Sequence, residues 1–151
     1  MMLVTVVFGI LLFGLLVAIA IIDFGELRIP NQLNICLSLL GVGWVLYSNP
    51  HGLLFQACFA LAITSFFWIL RELHRRLRGT VGLGLGDVKM AGAAGFWFSP
   101  YSISLFLFSA SISALVYTVI IKNLQANRQI PFGPFLAFGL FTCWLWELKV
   151  D

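Results

Sequence analysis

Long apolar stretches separated by short polar ones dominate the chain, and their lengths predict helices. Residues 3–22 (LVTVVFGILLFGLLVAIAII) form a charge-free run of 20. At about 1.5 Å per residue that crosses roughly 30 Å of hydrocarbon. Further apolar runs cover about 33–49, 52–70, 102–121 and 132–148. The stretch 88–99 (VKMAGAAGFWFS) is short and ends at Pro100. Joined to the next run it would make a helix of about 51 Å, too long for one crossing at ordinary tilt. A short fourth helix turning at Ser99-Pro100 into a fifth fits better. The pattern therefore predicts an all-α polytopic membrane protein with about six transmembrane helices, the fourth short, in one integral-membrane domain over residues 1–151. Ala18-Ile19-Ala20 looks like a signal-peptide cleavage site, but residues 1–22 contain no Lys or Arg and the apolar core is too long. The first run is expected to stay as a span.

Composition agrees with a bilayer as solvent. Hydrophobic residues make up 61% of the chain and charged ones 10%, with a mean hydropathy of +1.02. So few charges cannot cover the surface of a water-soluble fold of this size. The net charge of +3 and pI near 9.0 could suggest nucleic acid. The basic residues instead cluster between apolar runs, where they report orientation and contact with anionic membrane lipids, so no nucleic-acid partner is expected. Loops one, three and five would carry Arg28, then Arg71, Arg75, Arg76, Arg78 and Lys89, then Lys122 and Arg128, eight of the nine basic residues. The other side has only Lys149. The odd loops are thus expected in the cytoplasm and both termini outside. Trp44, Tyr47, Trp97, Tyr101, Trp144 and Trp146 then fall near the outer ends as an aromatic belt. Cys36, Cys58 and Cys143 stand singly, which predicts neither a zinc site nor a disulfide framework.

Two acidic residues stand out by position. Asp23 directly follows the first apolar run, in IIDFGELRIPNQL, and Asp87 lies in GLGLGDVKM at the entrance to the fourth helix. Ionisable groups at the hydrocarbon edge cost free energy and point to function. Taken separately, Asp23 reads as a helix-flanking charge and Asp87 as an N-cap; neither reading explains why both lie at one depth on one side. Two carboxyls brought close share a proton, so one can activate water while the other polarises a scissile carbonyl. Their helix ends suggest the roles, because the macrodipole favours charge on Asp87 at an N-terminus and disfavours it on Asp23 near a C-terminus. No metal or cofactor is needed. His51 falls on the outer side, and His74 is expected in a solvated basic loop. Asn31 can cap the second helix. Gly84 and Gly86 would let the backbone approach a substrate strand closely or take φ > 0.

Gly84-Leu85-Gly86-Asp87-Val88-Lys89 matches the GxGD motif of intramembrane aspartyl proteases, and GLGDVKMAGAAGFW resembles its setting in type IV prepilin peptidases. Asp23 followed by Arg28-Ile29-Pro30-Asn31 is similar to that family's first aspartate segment, and Ile130-Pro131-Phe132-Gly133-Pro134-Phe135 to its last-helix segment. The resemblance implies Asp23 and Asp87 as the catalytic pair, with Gly84, Gly86, Lys89, Pro30, Asn31, Pro131, Gly133 and Pro134 in support. It also implies removal of short basic leaders from prepilin or pseudopilin precursors, at the cytoplasmic face of a bacterial or archaeal cytoplasmic membrane. Cleavage would follow a glycine and precede an apolar mature segment. Many members also methylate the new N-terminus through an upstream domain with paired cysteines. Only 22 residues precede Asp23 here and there is no cysteine pair. Methylation, S-adenosylmethionine and zinc are therefore not expected. One rival is a presenilin or signal-peptide-peptidase type of GxGD protease, which the Ile-Pro-Asn and Ile-Pro-Phe-Gly-Pro-Phe segments fit less well. The other is a non-catalytic transporter or secretion subunit, with the aspartates as ion-pair or proton-relay groups.

Overall fold

The computed structural model describes residues 2–79, 82–122 and 130–150. They form six α-helices and no strand: α1 (Met2–Glu26), α2 (Asn31–Ser48), α3 (Leu53–Arg78), α4 (Leu85–Ala94), α5 (Ile103–Lys122) and α6 (Gly133–Val150). All six predicted helices are present. A bilayer offers no water to backbone N–H and C=O groups, so helices that satisfy them internally are the natural outcome of such apolar runs. Three segments are long and apolar enough to cross a membrane, Met2–Glu26, Pro50–Arg78 and Pro100–Ile120. The protein is an integral membrane protein built on helices.

α1 runs on past its apolar stretch to Glu26 and has Asp23 near its C-terminal end, as expected. One boundary differs from the sequence reading. α3 continues through Arg71, Arg75, Arg76 and Arg78, which are therefore helical and not in a loop. Glu72 makes this extension favourable, because Arg75 and Arg76 bond its carboxylate one turn on, at 2.7 and 2.8 Å. His74 is likewise on α3. The helix stops at Gly79, whose φ of 67° is left-handed and whose N–H donates to the Arg75 carbonyl. Arg128 lies outside the described residues.

α4 and α6 touch at the centre of the molecule. α1 packs on α6 and α2, α2 and α3 pack on α4, and α5 packs on α6. The core joins Leu12, Leu16 and Ile19 of α1 to Met90 of α4, Phe106 of α5 and Leu140 of α6. Trp97 and Trp144 are 1% and 4% exposed and belong to this core, so they are not part of an aromatic belt. The Trp97 indole N–H donates to the Leu37 carbonyl at 3.1 Å, a bond that draws the ring inward. Tyr101 and Trp146 remain exposed. The turn after α4 is tied off by side chains. Gln56 donates to the Gly95 and Phe98 carbonyls at 2.6 Å, and Glu147 accepts from the Ser99 N–H and the Ser102 hydroxyl.

Candidate active site

Asp23 lies near the C-terminal end of α1 and is only 4% exposed. Its partner comes from the far end of the chain, where the N–H of Gly133, the first residue of α6, donates to Asp23 Oδ2 at 2.8 Å. At a helix N-terminus such N–H groups have no intrahelical acceptor, which makes them good donors to a carboxyl group. Pro131, two positions before Gly133, is buried. Pro134 takes the second helical position, where a missing N–H costs no helix bond.

Asp87 is half-buried in the first turn of α4. The N-cap position belongs to Gly84, not to Asp87. The Asp87 carboxyl reaches back from the third position, and its Oδ2 accepts from the Gly84 N–H at 3.2 Å. Ile29 links the two aspartates. A methyl group on Gly133 would lie 3.0 Å from Ile29 Cδ1, and one on Gly86 would lie 3.0 Å from Ile29 Cβ and 3.3 Å from its nitrogen. The close approach expected at Gly86 is thus present, but it is made with this chain's own Ile29. Neither Gly84 nor Gly86 takes a positive φ.

The connection between α1 and α2 gains its shape from Leu27, a non-glycine residue at φ 53° whose N–H donates to the Asp23 carbonyl at 3.0 Å. Left-handed backbone costs a branched side chain roughly 1 kcal/mol, and here it ends α1 directly after the aspartate's turn. Pro30 is the N-cap of α2, with no side-chain cap bond. Asn31 is therefore not the cap. Its Oδ1 accepts instead from Lys89 Nζ at 2.7 Å, which pins the start of α2 to α4.

Asn34 is a residue that the sequence reading passed over. It is 4% exposed, and its Nδ2 donates to the Gly86 carbonyl at 3.2 Å, next to Asp87. Its Oδ1 has no protein partner. A polar residue one turn inside an otherwise apolar run was the available signal. Arg71, which the sequence reading gave to orientation and lipid contact, has a further role, because its Nε donates to the Leu83 carbonyl at 2.9 Å and anchors the approach to α4. His51 is in the one-turn helix Pro50–Gly52, away from both aspartates along α3. His74 packs beside Gly82, where a Cβ would lie 2.8 Å from its Nε2. Among the described residues no group of three or more His, Cys, Asp or Glu side chains gathers as a metal site would require.

The family model of the type IV leader peptidase family matches residues 10–119, a stretch that contains both aspartates and the GxGD segment. The chain belongs to this family. The prepilin leader peptidase/N-methyltransferase of Aeromonas salmonicida is 29% identical over 141 residues, covering 91% of this chain and 48% of that protein. The protein of the same name from Pseudomonas aeruginosa is 31% identical over 138 residues, 87% of this chain and 46% of that one. Its namesake from Neisseria gonorrhoeae is 27% identical over 128 residues. The chain spans about half the length of the curated relatives it matches. No solved structure matches it.

Proposed function

We infer that this chain is a membrane aspartyl endopeptidase that removes short basic leaders from prepilin-like or pseudopilin-like precursors, with Asp23 and Asp87 as its two acids. One observation carries the reading. Aspartates from separate helices lie at one end of the bundle, each held by the N–H of a motif glycine, and Ile29 packs between Gly86 and Gly133 beside them. Membership of the type IV leader peptidase family supports the substrate class.

Asp87, in the first turn of α4 where the macrodipole favours negative charge, acts as the base. It takes a proton from water as the water oxygen attacks the scissile carbonyl carbon. Asp23 gives its proton to the carbonyl oxygen, forming a gem-diol. Collapse of the diol breaks the C–N bond; the amine nitrogen takes the proton held by Asp87, and Asp23 recovers one from the diol. The Gly133 and Gly84 N–H groups orient the carboxyls throughout. The six helices alternate across the cytoplasmic membrane and present this end to the cytoplasm, where leaders are found. No metal takes part.

Asp23→Asn and Asp87→Asn are each expected to abolish cleavage at matched membrane levels, with the double variant hardly worse than either single one. Accumulation of uncut precursor in cells is the measurement. If Asp87 served only to bond the Gly84 N–H, its Asn variant would lose under about 1 kcal/mol and keep activity. Normal processing by either variant would return the chain to the reading of a non-catalytic subunit.

A further inference from the structure

α3 and α5 flank the central α4–α6 pair without packing extensively on each other, and a cleft of about 450 Å³ opens between them. That volume is in the range of sites that take a few side chains or a small ligand. Its walls include Phe66 and Leu70 of α3, Leu107 and Ser111 of α5, Leu83 before α4 and Phe132 before α6. Two of these residues have special places in the chain. Leu83 immediately precedes Gly84, whose N–H bonds Asp87, and Phe132 immediately precedes Gly133, whose N–H bonds Asp23. The cleft is therefore continuous with the two backbone arms that hold the carboxyls.

Charge marks one end of it. Arg71, His74 and Ser111 are the polar side chains on its wall. Arg71 uses its Nε on the Leu83 carbonyl, while Glu72 on the same helix is already bonded by Arg75 and Arg76. A basic leader is repelled from this cationic end, whereas an apolar segment is welcomed by the aromatic and aliphatic walls.

Resting on the function inferred above, we propose that the α3–α5 cleft receives the first apolar side chains on the mature side of the scissile bond. It thereby sets both the direction in which the precursor lies and the size of residue accepted after the cut. Phe66, Leu107 and Ser111 are the specificity-determining positions. Ser111 is exposed on the cleft wall, so a large residue there fills the cleft without entering the core. Phe66 is 55% exposed and can be truncated with equally little disturbance of the core.

The test uses the purified full-length protein in phospholipid nanodiscs and precursor peptides that carry Ala, Leu or Phe directly after the cut. Ser111→Trp is expected to lower kcat/KM for the Phe peptide by roughly tenfold or more relative to the Ala peptide, the scale on which apolar pockets discriminate size. Phe66→Ala is expected to move the preference the other way, toward the Phe peptide. Unchanged Phe-to-Ala ratios in both variants, beside normal cleavage by the parent protein, would overturn the cleft proposal and leave the space to membrane lipid. Failure of the parent protein to cut any of the peptides would instead overturn the peptidase reading itself.

Discussion

A methyl group at position 133 would lie 2.8 Å from Oδ2 of Asp23 and 3.0 Å from Cδ1 of Ile29. Glycine is needed there for space, because the α6 N-terminus must come close enough for its N–H to bond the buried carboxyl. Gly133→Ala is expected to fold and insert normally, since alanine is a better helix former than glycine. It should nevertheless displace Asp23 or Ile29 by a fraction of an ångström or more. Misplacement of about 1 Å at a reacting group can cost on the order of 100-fold in rate, so leader processing should fall steeply at equal protein level. Processing at the parent rate would show that Asp23 tolerates the shift and that its bond to Gly133 does not orient it. Asn34 acts on the same scale from the other side, holding the Gly86 carbonyl and with it the start of α4.

The central helix is built for close contact. α4 consists largely of small residues, and Ala91, Ala93 and Ala94 are at most 3% exposed. A Cβ on Gly92 would collide with Thr64 Oγ1, and one on Gly95, just past the helix, would lie 2.8 Å from the Ala60 Cα. α3 therefore lies against α4 backbone to backbone, the arrangement that small residues permit between membrane helices. With no hydrophobic force between helices in lipid, such packing does much of the holding. Gly95→Leu is expected to destabilise the folded protein by about 1–3 kcal/mol, the usual cost of overpacking. Gly14→Ala, with nothing within 4 Å of the added carbon, should be neutral or slightly stabilising. Thermal unfolding of the detergent-solubilised protein compares the two. Equal midpoints would contradict the close α3–α4 contact.

At the scale of the molecule, the end of α1, the start of α4 and the start of α6 come together around Asp23 and Asp87 at one end of the bundle. Arg28, Arg71, Arg75, Arg76, Arg78 and Lys89 belong to that end or to the helix turns that lead to it. Such a bias is what the cytoplasmic placement proposed above calls for. Cysteines introduced as Arg75→Cys and Lys122→Cys should therefore be shielded from an impermeant thiol reagent in intact cells, and His51→Cys and Lys149→Cys should be labelled. The background for this labelling is a protein in which Cys36 and Cys58, both exposed, have been replaced. Strong labelling at Lys122→Cys with none at Lys149→Cys would overturn the six-crossing arrangement.

The helices, and the two aspartates as candidates, could be read from the sequence because each depends on local pattern. Apolar run length determines whether a stretch can be a membrane helix, and a carboxyl beside such a run is conspicuous wherever the rest of the chain lies. Helix ends were less legible. α3 runs on past its apolar stretch through the arginine cluster, because a helix keeps its backbone bonds whether or not its side chains face lipid. The sequence also misassigned groups whose partners are distant. Asn31 has the composition of a cap but serves Lys89, and Trp97 and Trp144 have the composition of an interfacial belt but fill the core. Only the tertiary structure decided that Gly133 holds Asp23, that Ile29 lies between Gly86 and Gly133, and that Asn34 braces the start of α4. Those contacts join residues between 52 and 110 positions apart, as the Asn34 and Gly133 bonds illustrate. Hydrophobic periodicity describes which face of an element is buried, but it carries no information about which other element will cover that face.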